Sequence, residues 1–364
     1  MISMIQILKT AIREGASDIH ITTGAPPSLR VRGEIIHLNV DPLTSQQSRE
    51  LCYSVITDEQ KQKVENEKDV DFSFSFDDES RFRGHIYFQK KTIAGCFRQI
   101  PTVIPTIEEI GMPPILSELS TKPYGLVLVT GPTGSGKTTT LAAMINEINN
   151  KRRGHILTIE DPIEFIYSHK KCIINQREIG FDTVDFHQSL RAALRLDPDI
   201  CLLGEMRDKE TVETALHVAE TGHLTFGTLH TNNTCQAIDR LTGVFSGDER
   251  QMIQTQISQV LQGIVAQRLL PTVDGSSRVP AVEVLLFPPA IRNLVKEGKQ
   301  NQMYSIMQTQ KALGMITLNQ SLVSLVMRGI ITEDVALSTS YDTGEFVNML
   351  SQAKRSAVRG VARS

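Results

Sequence analysis

No stretch of this sequence approaches ~18 consecutive apolar residues, so no transmembrane helix is expected. Nor does a long uncharged apolar run follow a basic start. Met1 to Ile12 carries Lys9 and polar residues and reads as an amphipathic helix rather than an export signal. The expected location is the cytoplasm, with any membrane attachment made through a partner. Five cysteines, at positions 52, 96, 172, 201 and 235, form no C-x-x-C pair and are odd in number, which argues against a zinc cage or a disulfide framework. A net charge of -3 disfavours a strongly cationic nucleic-acid module. What remains is ordinary globular composition, 40% hydrophobic and 22% charged, over 364 residues, enough for two domains with their own cores.

Residues 1–100 alternate like a small α/β domain. Helices are expected over Ile2 to Glu14, Ser45 to Tyr53 and Asp58 to Asn66, and strands from Asp18, Ser28, Ile35, Asp71, Arg81 and Ile93. Residues 101–123 hold prolines at 101, 105, 113, 114 and 123 and read as a linker with short helical pieces. A second domain follows over 124–338. Leu126 to Thr130 is an unbroken run of the kind buried on both faces of a parallel sheet, and alternating helices and strands to Val244 indicate a doubly wound α/β fold. Beyond Asp248 the pattern turns helical, with Glu249 to Leu269 read as one helix and Val279 to Phe287 as the one interrupting strand. Residues 339–364 read as a polar, frayed tail.

The chemistry starts at Gly131, Pro132, Thr133, Gly134, Ser135, Gly136, Lys137 and Thr138, a complete G-x-x-x-x-G-K-[ST] between a strand and a helix, with Thr139 next to it. The glycines let successive backbone N–H groups converge on phosphate oxygens, and the helix adds the positive end of its dipole. Lys137 supplies charge to the β- and γ-phosphates, and the Thr138 hydroxyl ligates Mg²⁺, so ATP and Mg²⁺ are the expected ligands. Hydrolysis also needs a group to orient and deprotonate water. Ile159-Glu-Asp-Pro-Ile-Glu sets Glu160, Asp161 and Glu164 behind one strand, the first two serving equally well as turn or capping residues. Ile200-Cys-Leu-Leu-Gly-Glu sets Glu205 behind another, in the metal-facing slot of a Walker B strand. Ligands of open α/β sheets sit at these carboxyl ends. His223 and His230 bracket Leu224 to Leu229 and either sense the γ-phosphate or cap the strand; Arg207 is either an ion-pair partner or part of the phosphate charge network.

Together these blocks resemble the secretion ATPases that drive type II secretion and type IV pili, and within them the PilT-type retraction, or twitching-motility, ATPases. Ala16-Ser-Asp-Ile-His, the phosphate loop, Thr158-Ile-Glu-Asp-Pro-Ile-Glu, Leu203-Gly-Glu-Met-Arg-Asp and Thr221-Gly-His-Leu-Thr-Phe-Gly-Thr-Leu-His carry the likeness. It implies a PAS-like N-terminal domain, a RecA-like ATPase domain with a helical C-terminal part, a homohexameric ring, and an inner-membrane platform protein as partner, with no nucleic acid. It also implies Glu164 as catalytic base, Glu205 as the Mg²⁺ holder, His230 near the γ-phosphate, His223 at the nucleotide, and Arg83 and Arg98 closing over it, the alternative for the arginines being a solvated strand face. Ala290-Ile-Arg-Asn-Leu-Val resembles a motif of the retraction group; packing accounts for Ile291, Leu294 and Val295 but not for Arg292 and Asn293. The competing readings are a pilus-extension or type II secretion ATPase, a nucleotide-binding accessory paralogue, and a RecA-like nucleic-acid motor.

Overall fold

Capping signatures open the N-terminal helices. Ser3 and Gln6 form a reciprocal capping box on α1 (Met4–Arg13), as do Thr44 and Gln47 on α2 (Ser45–Tyr53) and Thr57 and Gln60 on α3 (Asp58–Glu67). The strands β1 (Asp18–Ile21), β2 (Ser28–Val31), β3 (Glu34–His37), β4 (Asp69–Ser75), β5 (Arg81–Gln89) and β6 (Thr92–Ile100) form an antiparallel sheet in the order β3-β2-β1-β6-β5-β4. Alternation turns Val70 and Phe72 inward on β4. Gly84, opposite Phe72, leaves room for its ring, because a Cβ there would stand 2.4 Å away. The computed structural model describes residues 2–31, 33–76, 80–193, 195–206 and 208–361, and the chain divides into two compact units, 1–103 with 164–166 and 104–163 with 167–364.

In the second unit, α4 (Ile115–Ser120) leads to β7 (Gly125–Thr130), buried at every position. There follow α5 (Lys137–Lys151), β8 (Gly154–Glu160), β9 (Cys172–Glu178), α6 (Phe186–Ala193), β10 (Ile200–Glu205), α7 (Lys209–Glu220), β11 (Leu224–Leu229) and α8 (Thr234–Gly243). Then come α9 (Gly247–Val260), β12 (Leu261–Pro271), β13 (Arg278–Leu286), α10 (Pro289–Lys296), α11 (Met303–Thr309), α12 (Leu318–Met327), α13 (Glu333–Thr339) and α14 (Thr343–Val361). The sheet order is β13-β12-β7-β11-β10-β8-β9, parallel throughout except for β13. Parallel strands covered by helices explain the unbroken apolar runs of β7 and β11.

Four expectations need correction. The helix expected over Glu249 to Leu269 ends at Val260, and the rest is β12, lying parallel beside β7. The Pro-rich stretch contributes Ile107, Met112, Leu116 and Leu119 to the buried interior, so most of it belongs to the second unit rather than linking two bodies. Strand β9, an edge strand burying Cys172 and Ile174 but exposing Ile173, was not expected at all. Most of the expected tail is ordered: α14 spans Thr343–Val361 and buries Phe346 and Leu350 against Leu318, Leu322 and Ile331, while 362–364 lie outside the described residues.

Candidate ATP site

The phosphate loop leaves β7 at Thr130 and enters α5 at Lys137. Gly131, Gly134 and Gly136 have φ of +149°, +76° and +86°, values that side-chain-bearing residues rarely take. At Gly131 a Cβ would also stand 2.3 Å from the Gln267 carbonyl oxygen and 2.6 Å from Ser135 Oγ. Lys137 Nζ donates to the Gly131 and Pro132 carbonyls at 3.0 and 3.2 Å, so the ammonium lies over the loop. Thr138 and Thr139 follow on the first turn of α5. Gln267, which the motif gave no reason to single out, is 2% exposed on β12. Its Nε2 donates to the Ser135 carbonyl at 2.7 Å, and its Oε1 accepts from Thr140 Oγ1 at 2.9 Å.

The neighbouring strand ends bring in the acid and the histidine. Thr130 Oγ1 lies 3.1 Å from the Leu229 carbonyl and 2.9 Å from that of Thr231, and accepts from the Thr231 N–H at 3.0 Å. That clasp holds the end of β11, and so His230, next to the end of β7. His230 Nε2 is 3.4 Å from Glu205 Oε1. Glu160 is buried, accepting from Thr158 Oγ1 at 2.7 Å and Gln176 Nε2 at 3.2 Å, which gives it a structural place between β8 and β9. His223 is not brought together with this group in its own chain. It precedes β11 at its amino end, its carbonyl accepting from the Gly125 N–H at 3.1 Å, and its Nδ1 lies 3.1 Å from Thr221 Oγ1 and 3.0 Å from the Val218 carbonyl. The six residues of β7, at ~3.3 Å each, put it roughly 20 Å from its own chain's phosphate loop. Arg207 lies outside the described residues.

Glu164, Arg83 and Arg98 belong to the N-terminal unit. Arg83 and Arg98 are direct cross-strand partners on β5 and β6. Arg98 and Arg30, not Arg83, share a compensating acid: Arg98 Nε donates to Asp18 Oδ1 at 2.8 Å, and Arg30 Nε lies 4.0 Å from Asp18 Oδ2. The bond to Asp18, together with that charge, raises the Arg98 pKa further, with a smaller contribution from Glu164. Arg98 is therefore anchored through its Nε, while its side chain stays 71% exposed.

A cavity of about 410 Å³ opens beside Gly136, Thr139 and Gln267, walled by Met112, Leu269 and Val279 and flanked by Arg278 and Arg328. Apolar walls with guanidinium groups suit a flat aromatic ring. Apart from Gly136 and Thr139, none of these residues lies near the motif in sequence, so no local signal marked them.

Residues 100–361 match the family described as Type II/IV secretion system protein. The chain belongs to that family. It is 46% identical over 331 residues to the type IV pilus retraction ATPase PilT of Pseudomonas aeruginosa, spanning 91% of this chain and 96% of that one. It is 43% identical over 334 residues to the twitching motility protein of Neisseria gonorrhoeae, spanning 92% and 89%. The crystal structure of the pilus retraction motor PilT with bound ADP overlays with a TM-score of 0.89 at 47% identity, covering 95% of this chain and 99% of that one. The structure also explains part of the retraction-type motif in this secretion ATPase. Arg292 Nη1 donates to the Ser258 and Gln259 carbonyls at 2.5 and 2.8 Å, capping the C-terminus of α9. Asn293 is exposed. Among the described residues, no helix is long and apolar enough to cross a membrane.

Proposed function

We propose that this chain is the Mg²⁺-dependent ATPase motor that retracts type IV pili for twitching motility. The observation that supports it most is the complete phosphate loop from Gly131 to Thr138, with Glu205 and His230 paired at the adjoining strand ends. Lys137 and the N-terminus of α5 hold the β- and γ-phosphates. The Thr138 hydroxyl and the Glu205 carboxylate are an all-oxygen donor set that suits Mg²⁺, which when bound neutralises phosphate charge. Glu164 takes the proton of the attacking water, His230 hydrogen-bonds in the γ-phosphate region, and Arg83 and Arg98 supply positive charge to the phosphates. The cavity at Met112 and Leu269 takes the purine. The assembly is a homohexamer at the cytoplasmic face of the inner membrane, acting on a platform protein. Its N-terminal unit is PAS-like, a reading supported by the antiparallel sheet flanked by helices; its second unit is RecA-like, supported by the parallel sheet with the phosphate loop after β7.

The test is phosphate release by the purified chain. Lys137→Ala is expected to abolish it, and Glu164→Gln to lower kcat about a hundredfold or more. A Glu164→Gln protein that turns over at the parent rate removes Glu164 from the role of base. In cells, a deletion strain is expected to keep surface pili and stop twitching; loss of the pili themselves would instead make this an assembly motor.

A further inference from the structure

Gln267 is a buried amide 132 residues away in sequence from the serine it touches; it borders the cavity assigned to the purine, but the chemical step just described gives it no part. Strand β12 runs parallel to β7, with Ala266 level with Thr130. The next residue, Gln267, therefore lies directly under the start of the phosphate loop. Two points of the loop and one of the helix that follows it meet Gln267. Its backbone carbonyl closes against Gly131, its Nε2 holds the Ser135 carbonyl, and its Oε1 takes the Thr140 hydroxyl of α5.

A trans peptide is planar, with its C=O and N–H pointing in opposite directions. Tethering the Ser135 carbonyl to Gln267 therefore aims the Gly136 N–H the other way, away from β12. Converging N–H dipoles repel one another until an anion arrives, and Gly134 and Gly136, with no side chains, offer little resistance to a peptide flip. A tether from outside the loop is what opposes that flip. We propose that Gln267 is a positioning residue that holds the phosphate loop in its nucleotide-ready curl, so that its loss weakens ATP binding rather than the chemical step. The proposal rests on reading the site as an ATPase.

An amide both donates to the Ser135 carbonyl and accepts from Thr140 Oγ1 whatever the pH. A carboxylate at 267 faces the carbonyl oxygen with like partial charge; once protonated it donates again. The experiment uses the full-length chain with ATP and ADP as probes. It measures the nucleotide Kd by calorimetry, KM and kcat by phosphate release, and the melting midpoint without nucleotide. Gln267→Met is expected to raise Kd and KM about tenfold, with kcat within about threefold of wild type. Gln267→Glu is expected to do the same at pH 8 and to regain affinity towards pH 5, relative to wild type at each pH. Thr140→Val, which leaves Gln267 and its bond to Ser135 in place, is expected to raise Kd by a smaller factor and keeps the test open should Gln267→Met not fold. Unchanged Kd and KM in a folded variant overturn the proposal, as does a fall in kcat at constant KM, or a Gln267→Glu protein with no pH response. If wild type itself binds no nucleotide, the functional reading fails rather than this one.

Discussion

Asp18 stands in a lateral row of Arg30, Asp18, Arg98 and Arg83 across β2, β1, β6 and β5, three cations to one buried acid. Burial works to raise its pKa, but hydrogen bonds from Ser17 and Arg98, with the Arg98 charge, outweigh it and hold the carboxyl below its ordinary value. A carboxyl depressed on folding stabilises the fold above its unfolded pKa of about 4 and loses that contribution as pH falls through the folded value. Asp18→Asn keeps the shape and removes the charge. Because the Arg98 side chain is 71% exposed and screened by water, the expected loss at pH 7 is only about 1 kcal/mol. Urea midpoints of parent and variant should converge as pH falls below the unfolded value and on through the lowered folded one; a gap that stays constant with pH would remove the charge from the explanation. The Asp of Ala16-Ser-Asp-Ile-His was thus legible as a motif member, but its work was not. The arginine it holds is 80 residues away and meets it only through sheet register.

Elements were legible where local pattern and burial agree, and illegible where two periods coincide. Lys137 to Lys151 and β7 declare themselves because the glycine-rich loop punctuates them. At the α9–β12 junction, Ile253, Ile257, Val260, Leu261 and Ile264 keep helical spacing straight through the boundary, so sequence alone extends the helix. What ends it is tertiary: Arg292 takes the last carbonyls of α9, and β7 offers a partner for the chain beyond. Gly263 then admits Leu119 of α4, since a Cβ there would meet its two methyl carbons at 2.8 Å. Gly263→Val is expected to destabilise by about 1–3 kcal/mol through overpacking. Chemical denaturation decides this, and a neutral result would mean that α4 is as loosely attached as the prolines flanking it first implied.

The largest misreading belongs to the whole molecule, because the C-terminal helices are held by contacts far away in sequence. The alternation of α14 is amphipathic, and polar residues on its outer face hide the few apolar ones that matter. Phe346 is 1% exposed among Leu318, Leu322 and Ala336, while its neighbour Val347 is 48% exposed. Upstream, the Tyr341 hydroxyl donates to the Asn232 carbonyl, two residues beyond His230, and its ring lies 4.9 Å from the Arg268 guanidinium carbon. Arg268 follows Gln267 on β12, so the last helices and the phosphate loop are attached to adjacent residues of one strand. Phe346→Ala is therefore expected to cost about 3–5 kcal/mol, whereas Val347→Ala should stay within about 0.5. If stability is set through this shared strand, the Phe346 variant should also lose amide-exchange protection across β12, not only within α14. Protection lost in α14 alone would show that the C-terminal helices fold and unfold as a separate layer, with β12 indifferent to them.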